Sequence, residues 1–252
     1  MAATSTWIEG GRKGVGQRDP EQQSSSLTDR YRRIRAQSEA LCQPLAIEDY
    51  GVQPMNDASP PKWHLAHTTW FFETFLLKSR SKDYAAFHDA YEYLFNSYYN
   101  GVGEPYPRAK RGLLSRPTVA EVMAYRTHVD ERMQELLGNA DEDAHAVIEI
   151  GLNHEQQHQE LLLTDLKYNL GHNPLYPAYR HDLAEAGTAP VAEMTFEVRA
   201  GGVVSVGAES GFCFDNETPR HEVLLQPHAL GSRLVTNGEY AQFIADAGYS
   251  RP

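Results

Sequence analysis

Length, composition and charge restrict the functions open to this chain. Its 252 residues can form one large domain or two ordinary ones, and a hydrophobic content of 41% allows a proper core. A formal net charge of -11 argues against sequence-independent binding of nucleic acid or of an anionic membrane surface. No apolar run is long enough to span a bilayer. Two cysteines, Cys42 and Cys213, give no disulfide framework, which favours the reducing cytoplasm.

The N-terminal region predicts a flexible leader followed by an amphipathic helix. Residues 1–23 are rich in glycine, serine and charge and contain no apolar segment, so they resemble neither a secretory signal nor a regular element. Residues 27–45 then place their apolar side chains on one side of a helix. Four arginines fall mostly on the other side, where we expect a solvated face rather than a binding patch. They are Arg30, Arg32, Arg33 and Arg35.

A second helix is predicted from the sequence PPKWHLAHTTWFFE, which begins at Pro60. Paired prolines are typical of a helix start, and the residues that follow are suited to a buried helix. His64, His67 and Phe71 share one face of it. Either histidine could bind a metal ion together with histidines from another helix, and spacing alone does not choose between them.

A long connection without sustained periodicity follows, over residues 84–117. Connections of this length inside a compact domain are usually functional. It contains the sequence NSYYN and a local basic cluster in an otherwise acidic chain, formed by Arg108, Lys110, Arg111 and Arg116. The planar guanidinium group suits bidentate binding of a carboxylate, so the cluster indicates either a small acidic ligand or arginines that only pair with surface acids.

The strongest functional signal is the sequence HEQQHQE at residues 154–160. On a helix, His154 and His158 project one turn apart from the same face, which lets both imidazoles bind one metal ion. They share a stripe with Val147, Ile150, Gly151, Leu161 and Tyr168, so we expect both to face inward. The alternative is a pair of hydrogen-bonded core histidines. Two histidines at this spacing, with a third histidine available elsewhere in the chain, favour a metal site.

Boundary signals complete a bundle of four helices. Thr118 and Glu121 form a capping box that opens a third helix, which Gly138 and Asn139 end. The acidic residues 141–143 open the fourth helix, which carries the histidine pair. Four helices with inward polar ligands are typical of a metal-binding bundle, which we place at residues 24–180.

The composition changes after the bundle. Residues 181–192 read as a linker, and residues 193–252 as the beginning of a second domain of mixed α and β structure. Strands are predicted at 195–198, 203–206 and 221–225, and a capping box at Thr236 and Glu239 opens a short helix over 237–247. The fold class we expect is therefore mainly α, a four-helix bundle followed by an incomplete α+β segment.

Several of these motifs, in order, resemble one known family. The segments SPPKWHLAHTTWFFE, NSYYN, RGLLSRPT, HEQQHQE and AGGVVSVGAE…FDNETPRHEV are similar to those of the sulfoxide synthases of ergothioneine biosynthesis, the hercynine oxygenases. That family joins a DinB-like helical bundle to a domain similar to the formylglycine-generating enzyme. The resemblance covers residues 27–252, and since the second domain of the family continues further, we expect this chain to be a truncated member with an incomplete substrate cavity.

The resemblance implies a mononuclear non-haem iron(II) enzyme that uses O2 to join a cysteine-type thiol to hercynine as a sulfoxide. Its iron ligands would be His67, His154 and His158, three neutral imidazoles that leave coordination positions open. The family pattern gives Tyr98 and Tyr99 a role beside the iron as proton donors. In the same pattern, Arg108 and Arg111 bind the carboxylate of the thiol substrate, and Gln157 helps to place hercynine. Glu160 would support the metal ligands without binding the ion itself.

Two other functions fit parts of the sequence. His154 to His158 matches the H-E-x-x-H pattern of zinc peptidases, in which Glu155 would be the general base, although Leu161 stands where the extended pattern requires glycine. The bundle could also be a DinB-like metal-dependent thiol transferase or a metal-binding module. The sequence leaves open whether the thiol is cysteine or gamma-glutamylcysteine, and whether the product belongs to ergothioneine or to the related ovothiol.

Overall fold

The computed structural model describes residues 26–81, 83–97, 99–183 and 190–251. The predicted leader and Tyr98 lie outside these ranges, as do residues 184–189 of the predicted linker. The chain divides into two compact units, Met1–Leu183 with Glu209–Asn216, and Ala184–Ala208 with Glu217–Pro252. Within the described ranges, no helix is both long enough and apolar enough to cross a membrane. The domain boundaries placed at 180 and 193 stay a prediction.

In its described residues, the first unit is a bundle of four long helices, as predicted. They are α1 (Leu27–Cys42), α2 (Pro61–Phe72), α4 (Val119–Leu137) and α5 (Glu142–Gly171), with a short α3 (Tyr91–Phe95) in the long connection. Helix α2 continues through a π-helical turn, Glu73–Leu77, into Lys78–Arg80. The core lies where α2 meets α4 and α5, and all twelve residues of α2 are buried.

Local sequence explains where these helices begin and end. The Thr118 hydroxyl accepts from the Glu121 backbone N–H at 3.2 Å while the Glu121 carboxylate accepts from the Thr118 N–H at 2.7 Å, so the predicted capping box is confirmed. Asp141 likewise accepts from the N–H of Ala144 at 2.7 Å and caps α5. Satisfied N-terminal amides fix the point at which each helix starts, which sets the position of every later side chain along it.

The expected solvated face of α1 is wrong for two of its four arginines. Arg30 and Arg35 are 6% and 3% exposed. Arg35 donates to Asp130 at 2.7 Å and to Glu155 at 3.0 Å, and Arg30 donates to Glu149 at 3.2 Å. Buried guanidinium groups need such partners, and these carboxylates lie about a hundred residues further along the chain. Helical periodicity read from one segment could not reveal them.

The long connection between α2 and α4 is partly ordered by one buried carboxylate. Glu73, in the π-helical turn, accepts hydrogen bonds from the Tyr84 and Tyr125 hydroxyls, both at 2.6 Å, and from the Phe87 N–H at 3.1 Å. Besides α3, the connection contains a 3-10 turn at Arg108–Leu113. The predicted aperiodic connection therefore carries short turns of helix, and the second of them contains Arg108, Lys110 and Arg111 of the basic cluster.

Among its described residues, the second unit contains four short strands and one helix. The strands are β1 (Phe196–Arg199), β2 (Gly202–Val206), β3 (His221–Leu225) and β4 (His228–Gly231), and α6 spans Asn237–Ala245. Although β1 and β2 are neighbours in sequence, β1 pairs with β4 and β2 with β3, both antiparallel. The capping box before α6 is confirmed. The expectation of a mainly α chain with a small α+β segment is therefore confirmed. None of the residues 190–251 is buried, so these residues enclose no core of their own.

Candidate metal centre

Helices α2 and α5 bring three histidines together. His67 from α2 and His154 and His158 from α5 each offer a ring nitrogen, and these atoms all lie within 4.8 Å of one another. His67 is 1% exposed and His154 is 9% exposed. The spacing of four residues on α5 puts its two imidazoles one turn apart, and a helical face of α2 places the third opposite them. This is the arrangement that the histidine motif predicts.

The hydrogen bonds of the three rings leave nitrogen atoms available for a metal ion. The His67 Nδ1–H donates to the Phe95 carbonyl at 2.6 Å, so Nε2 carries the lone pair. In His158, Nδ1 lies 2.9 Å from His64 Nδ1, which again leaves Nε2. In His154, Nδ1 is buried and meets no partner among the described residues. Three imidazoles with free nitrogens, one of them buried and unsatisfied, fit a divalent first-row metal ion.

His64, the other candidate on α2, is engaged through both ring nitrogens. Besides the contact with His158, its Nε2 lies 3.0 Å from Asp165 Oδ2. An imidazole with both nitrogens in hydrogen bonds has no unengaged lone pair for a metal ion. The geometry therefore distinguishes His67 from His64, which spacing alone does not.

Burial keeps the three imidazoles in their neutral form. It is the largest cause that lowers the pKa of each ring, to about 4 for His154 and well below the ordinary value for His67 and His158. The neighbouring imidazoles lower the pKa of His67 and His158 further. Metal binding requires the neutral ring, so at pH 7 the cluster is in the protonation state that a metal ion needs.

Aromatic rings hold His67 in place. Trp63 stacks on its imidazole with 4.5 Å between centroids, and Trp70 stacks at 5.5 Å. The Arg111 guanidinium lies 3.3 Å from the centre of the Trp63 ring, a cation–π contact. His67 is thus part of a column in which Trp63 separates it from the positive charge.

The pocket in front of the histidines contains four of the five predicted substrate and proton-transfer residues. Tyr99, Arg108, Arg111 and Gln157 line it, while Tyr98 is outside the described residues. Arg111 is 4% exposed and donates to the Ser59 and Ser97 hydroxyls at 2.9 and 3.1 Å. Arg108 is exposed and donates to the Asp57 carbonyl. Burial raises the pKa of Tyr99 to about 12, so its hydroxyl keeps its proton at neutral pH.

Glu155 is a structural residue rather than a general base. It is fully buried and accepts from Arg35 at 3.0 Å, Ser38 at 2.7 Å and Arg126 at 3.2 Å. Burial alone would raise its pKa, but the two guanidinium charges and the Ser38 hydrogen bond outweigh it and lower the pKa to about 2. A catalytic base works best with a pKa near the operating pH. Glu155 is therefore unsuited to be the general base that the zinc peptidase interpretation requires.

Two sequence-based expectations about α5 need correction, and one residue was missed. Glu160 is exposed and is not among the described residues that line the pocket, so it does not support the ligands. Leu161 is 42% exposed, because the buried stripe moves to Leu162 and Asp165 in the second half of the helix. Asp165 was missed, although it lies seven residues beyond His158 and therefore on the same face.

Comparison with known proteins identifies the family of the chain. The DinB superfamily matches residues 30–162, and the sulfatase-modifying factor enzyme 1-like domain matches residues 182–251. The chain is similar to proteins named hercynine oxygenase from Mycobacterium tuberculosis, Mycolicibacterium thermoresistibile and Mycolicibacterium smegmatis. The identities are 30%, 28% and 27%, over 76–77% of this chain.

These matches identify the family of the chain but not its activity. The chain spans 42–44% of the length of each curated relative, so the matches leave the activity of the chain as a proposal. The DinB match extends over slightly more than half of the chain. The predicted resemblance to the hercynine oxygenases is confirmed by the two family models together with the three relatives. The chain belongs to the DinB superfamily.

Proposed function

We propose that this chain is the metal-binding part of a hercynine oxygenase, a non-haem iron(II) enzyme that joins a cysteine-type thiol to hercynine with O2. The observation that carries the proposal is the cluster of three neutral imidazoles at the base of a pocket lined by a tyrosine, two arginines and a glutamine. Iron(II) bound by His67, His154 and His158 would supply the one-electron chemistry that activation of O2 requires.

Each pocket residue has a role that follows from its chemistry. Arg111 presents a guanidinium group already oriented by Ser59, Ser97 and Trp63, so it binds the carboxylate of the thiol substrate with little loss of side-chain entropy. Arg108 provides a second, exposed charge for the same carboxylate. The Gln157 amide donates and accepts hydrogen bonds and orients the hercynine imidazole.

Proton transfer is assigned to Tyr99, with Tyr98 as its predicted neighbour. The ring of Tyr99 packs against Trp70 at 5.4 Å and Phe75 at 5.1 Å, which holds the side chain at the pocket that it lines. Because its pKa is about 12, the hydroxyl enters the reaction protonated and donates its proton to oxygen as charge develops there.

Metal binding can be tested without turnover. Anaerobic titration of the chain with iron(II) should give one bound ion per chain. The His67→Ala variant should lose tight binding, whereas His172→Ala, which changes an exposed histidine at the end of α5, should bind as the unchanged chain does. Unaltered binding by His67→Ala would contradict the proposed ligand set.

The reaction class is tested by supplying each set of substrates. O2 uptake that depends on iron(II), a thiol and hercynine supports the oxygenase. Hydrolysis of peptides in the presence of zinc would support the peptidase instead. Comparing cysteine with gamma-glutamylcysteine, and hercynine with histidine, then identifies the thiol and the acceptor.

A further inference from the structure

A line of hydrogen bonds leads from the backbone of the segment before α2 to one histidine of the triad. The Ser59 N–H donates to Asp165 Oδ2 at 2.8 Å. The same oxygen lies 3.0 Å from His64 Nε2, and His64 Nδ1 lies 2.9 Å from His158 Nδ1. Asp165 is 8% exposed and His64 is 4% exposed, so little water competes for these contacts.

The chemistry of these groups permits one arrangement of protons when a metal ion is bound. A carboxylate accepts only, so His64 must carry its proton on Nε2. Its Nδ1 then has a lone pair and must accept the hydrogen bond from His158. His158 therefore carries its proton on Nδ1 and presents the lone pair of Nε2 to the metal ion.

The opposite arrangement would disable the site. If the proton between the two rings belonged to His64 Nδ1, neutral His158 would carry its own proton on Nε2, where the metal ion must bind. In neutral His64 this requires a bare Nε2 facing the carboxylate, which leaves two acceptors 3.0 Å apart without a proton between them. For a neutral His64, the buried carboxylate thus excludes the unproductive tautomer of His158.

We propose that Asp165 and His64 are positioning residues that fix the Nδ1–H tautomer of His158 and so prepare its Nε2 as a metal ligand. The proposal rests on the proposed metal site and extends it to a carboxylate–imidazole–imidazole chain. His64, which spacing offers as a possible ligand, acts through His158. Removal of such an outer partner typically weakens metal binding about tenfold to hundredfold.

The first test compares substitutions at Asp165 with a matched control on the same helix. In the full chain, Asp165→Leu removes the acceptor, whereas Asp165→Asn keeps a carbonyl oxygen that can accept from His64. We expect Asp165→Leu to bind cobalt(II) and iron(II) about tenfold to hundredfold more weakly, and Asp165→Asn to stay much closer to the unchanged chain.

Asn169→Leu is the control for general destabilisation. Asn169 lies one turn further along α5, is 5% exposed and donates to the Val52 carbonyl at 3.2 Å, away from the histidines. This variant also loses a buried polar group but should retain metal affinity. Equal weakening by Asp165→Leu and Asn169→Leu would overturn the proposal, as would unaltered binding by Asp165→Leu.

A second test requires no substitution. Nitrogen-15 NMR of the imidazole rings in the metal-free chain distinguishes the two tautomers of a neutral histidine. We expect the proton of His158 on Nδ1 and that of His64 on Nε2. A His158 proton on Nε2 in the unchanged chain would refute the proposal, while loss of binding in His67→Ala would still support the metal site, so the two failures are distinguishable.

Discussion

Replacement of Glu155 by glutamine should destabilise the bundle strongly. The carboxylate lies where three helices meet, with Arg35 and Ser38 from α1 and Arg126 from α4 all donating to it. Glutamine has nearly the same shape, but it offers one acceptor oxygen in place of two and turns an N–H2 group toward donors. Two buried guanidinium groups would then lack their shared counter-charge.

The size of the effect follows from the burial of the group. Glu155 is 0% exposed and both arginine side chains are at most 3% exposed. Removing one partner of such a buried ion pair typically costs about 3–5 kcal/mol. For a domain of this size, each kcal/mol lowers the melting temperature by about 2–4 °C, so Glu155→Gln should melt roughly 6–20 °C lower.

The dependence on pH gives an independent check. Because the pKa of Glu155 is about 2 in the folded chain and 4.5 ordinarily, its stabilisation is fully present above pH 4.5 and is lost as the pH falls toward 2. The difference in unfolding free energy between the unchanged chain and Glu155→Gln should therefore shrink over that range.

Urea unfolding at pH 7 and at lower pH measures both quantities. The control is Glu160→Gln, which makes the same chemical change at an exposed position of α5 and should alter stability by less than about 0.5 kcal/mol. A Glu155→Gln variant as stable as that control would refute the structural role of this carboxylate and return it to consideration as a catalytic base.

Two further outcomes concern packing and local stability. A methyl group at Gly151 would lie 2.6 Å from a ring carbon of Phe72 and 2.8 Å from one of Phe71, so Gly151→Ala should cost about 1–3 kcal/mol in thermal or urea unfolding. Gly171→Ala on the same helix should be neutral or stabilising, because the added methyl group would meet no described atom within 4 Å beyond the adjacent helix backbone. Equal effects of the two substitutions would contradict the close contact at Gly151. Amide hydrogen exchange followed by mass spectrometry should be fast over 190–251, where none of the residues is buried, and slow in α2 and α5. If the amides of β1 to β4 were as protected as those of α5, the exposure of residues 190–251 would not determine how easily these strands open.

Patterns within single segments predicted much of the fold. The capping boxes at Thr118 and Thr236 place helix starts correctly because they join residues three positions apart. The histidine pair on α5 is predicted for the same reason, since four residues make one helical turn. Features of this kind depend on local geometry, which a sequence contains directly.

Contacts between distant segments could not be predicted in this way. The burial of Arg35 depends on Asp130 and Glu155, and the difference between His64 and His67 depends on Asp165 and Phe95. The pairing of β1 with β4 likewise needs the path of the chain. In each case the side chain or strand takes its role from a partner whose proximity exists only after folding.

The ionic cluster around Glu155 also bears on how the protein acquires its metal. The helices are joined beneath the histidines by charges and hydrogen bonds of their own, so the framework of the site does not depend on the ion. A zinc finger, by contrast, unfolds when a chelator removes its metal. This bundle would release an ion to a chelator as an intact apoprotein with its imidazoles still in place, ready to be reloaded without refolding.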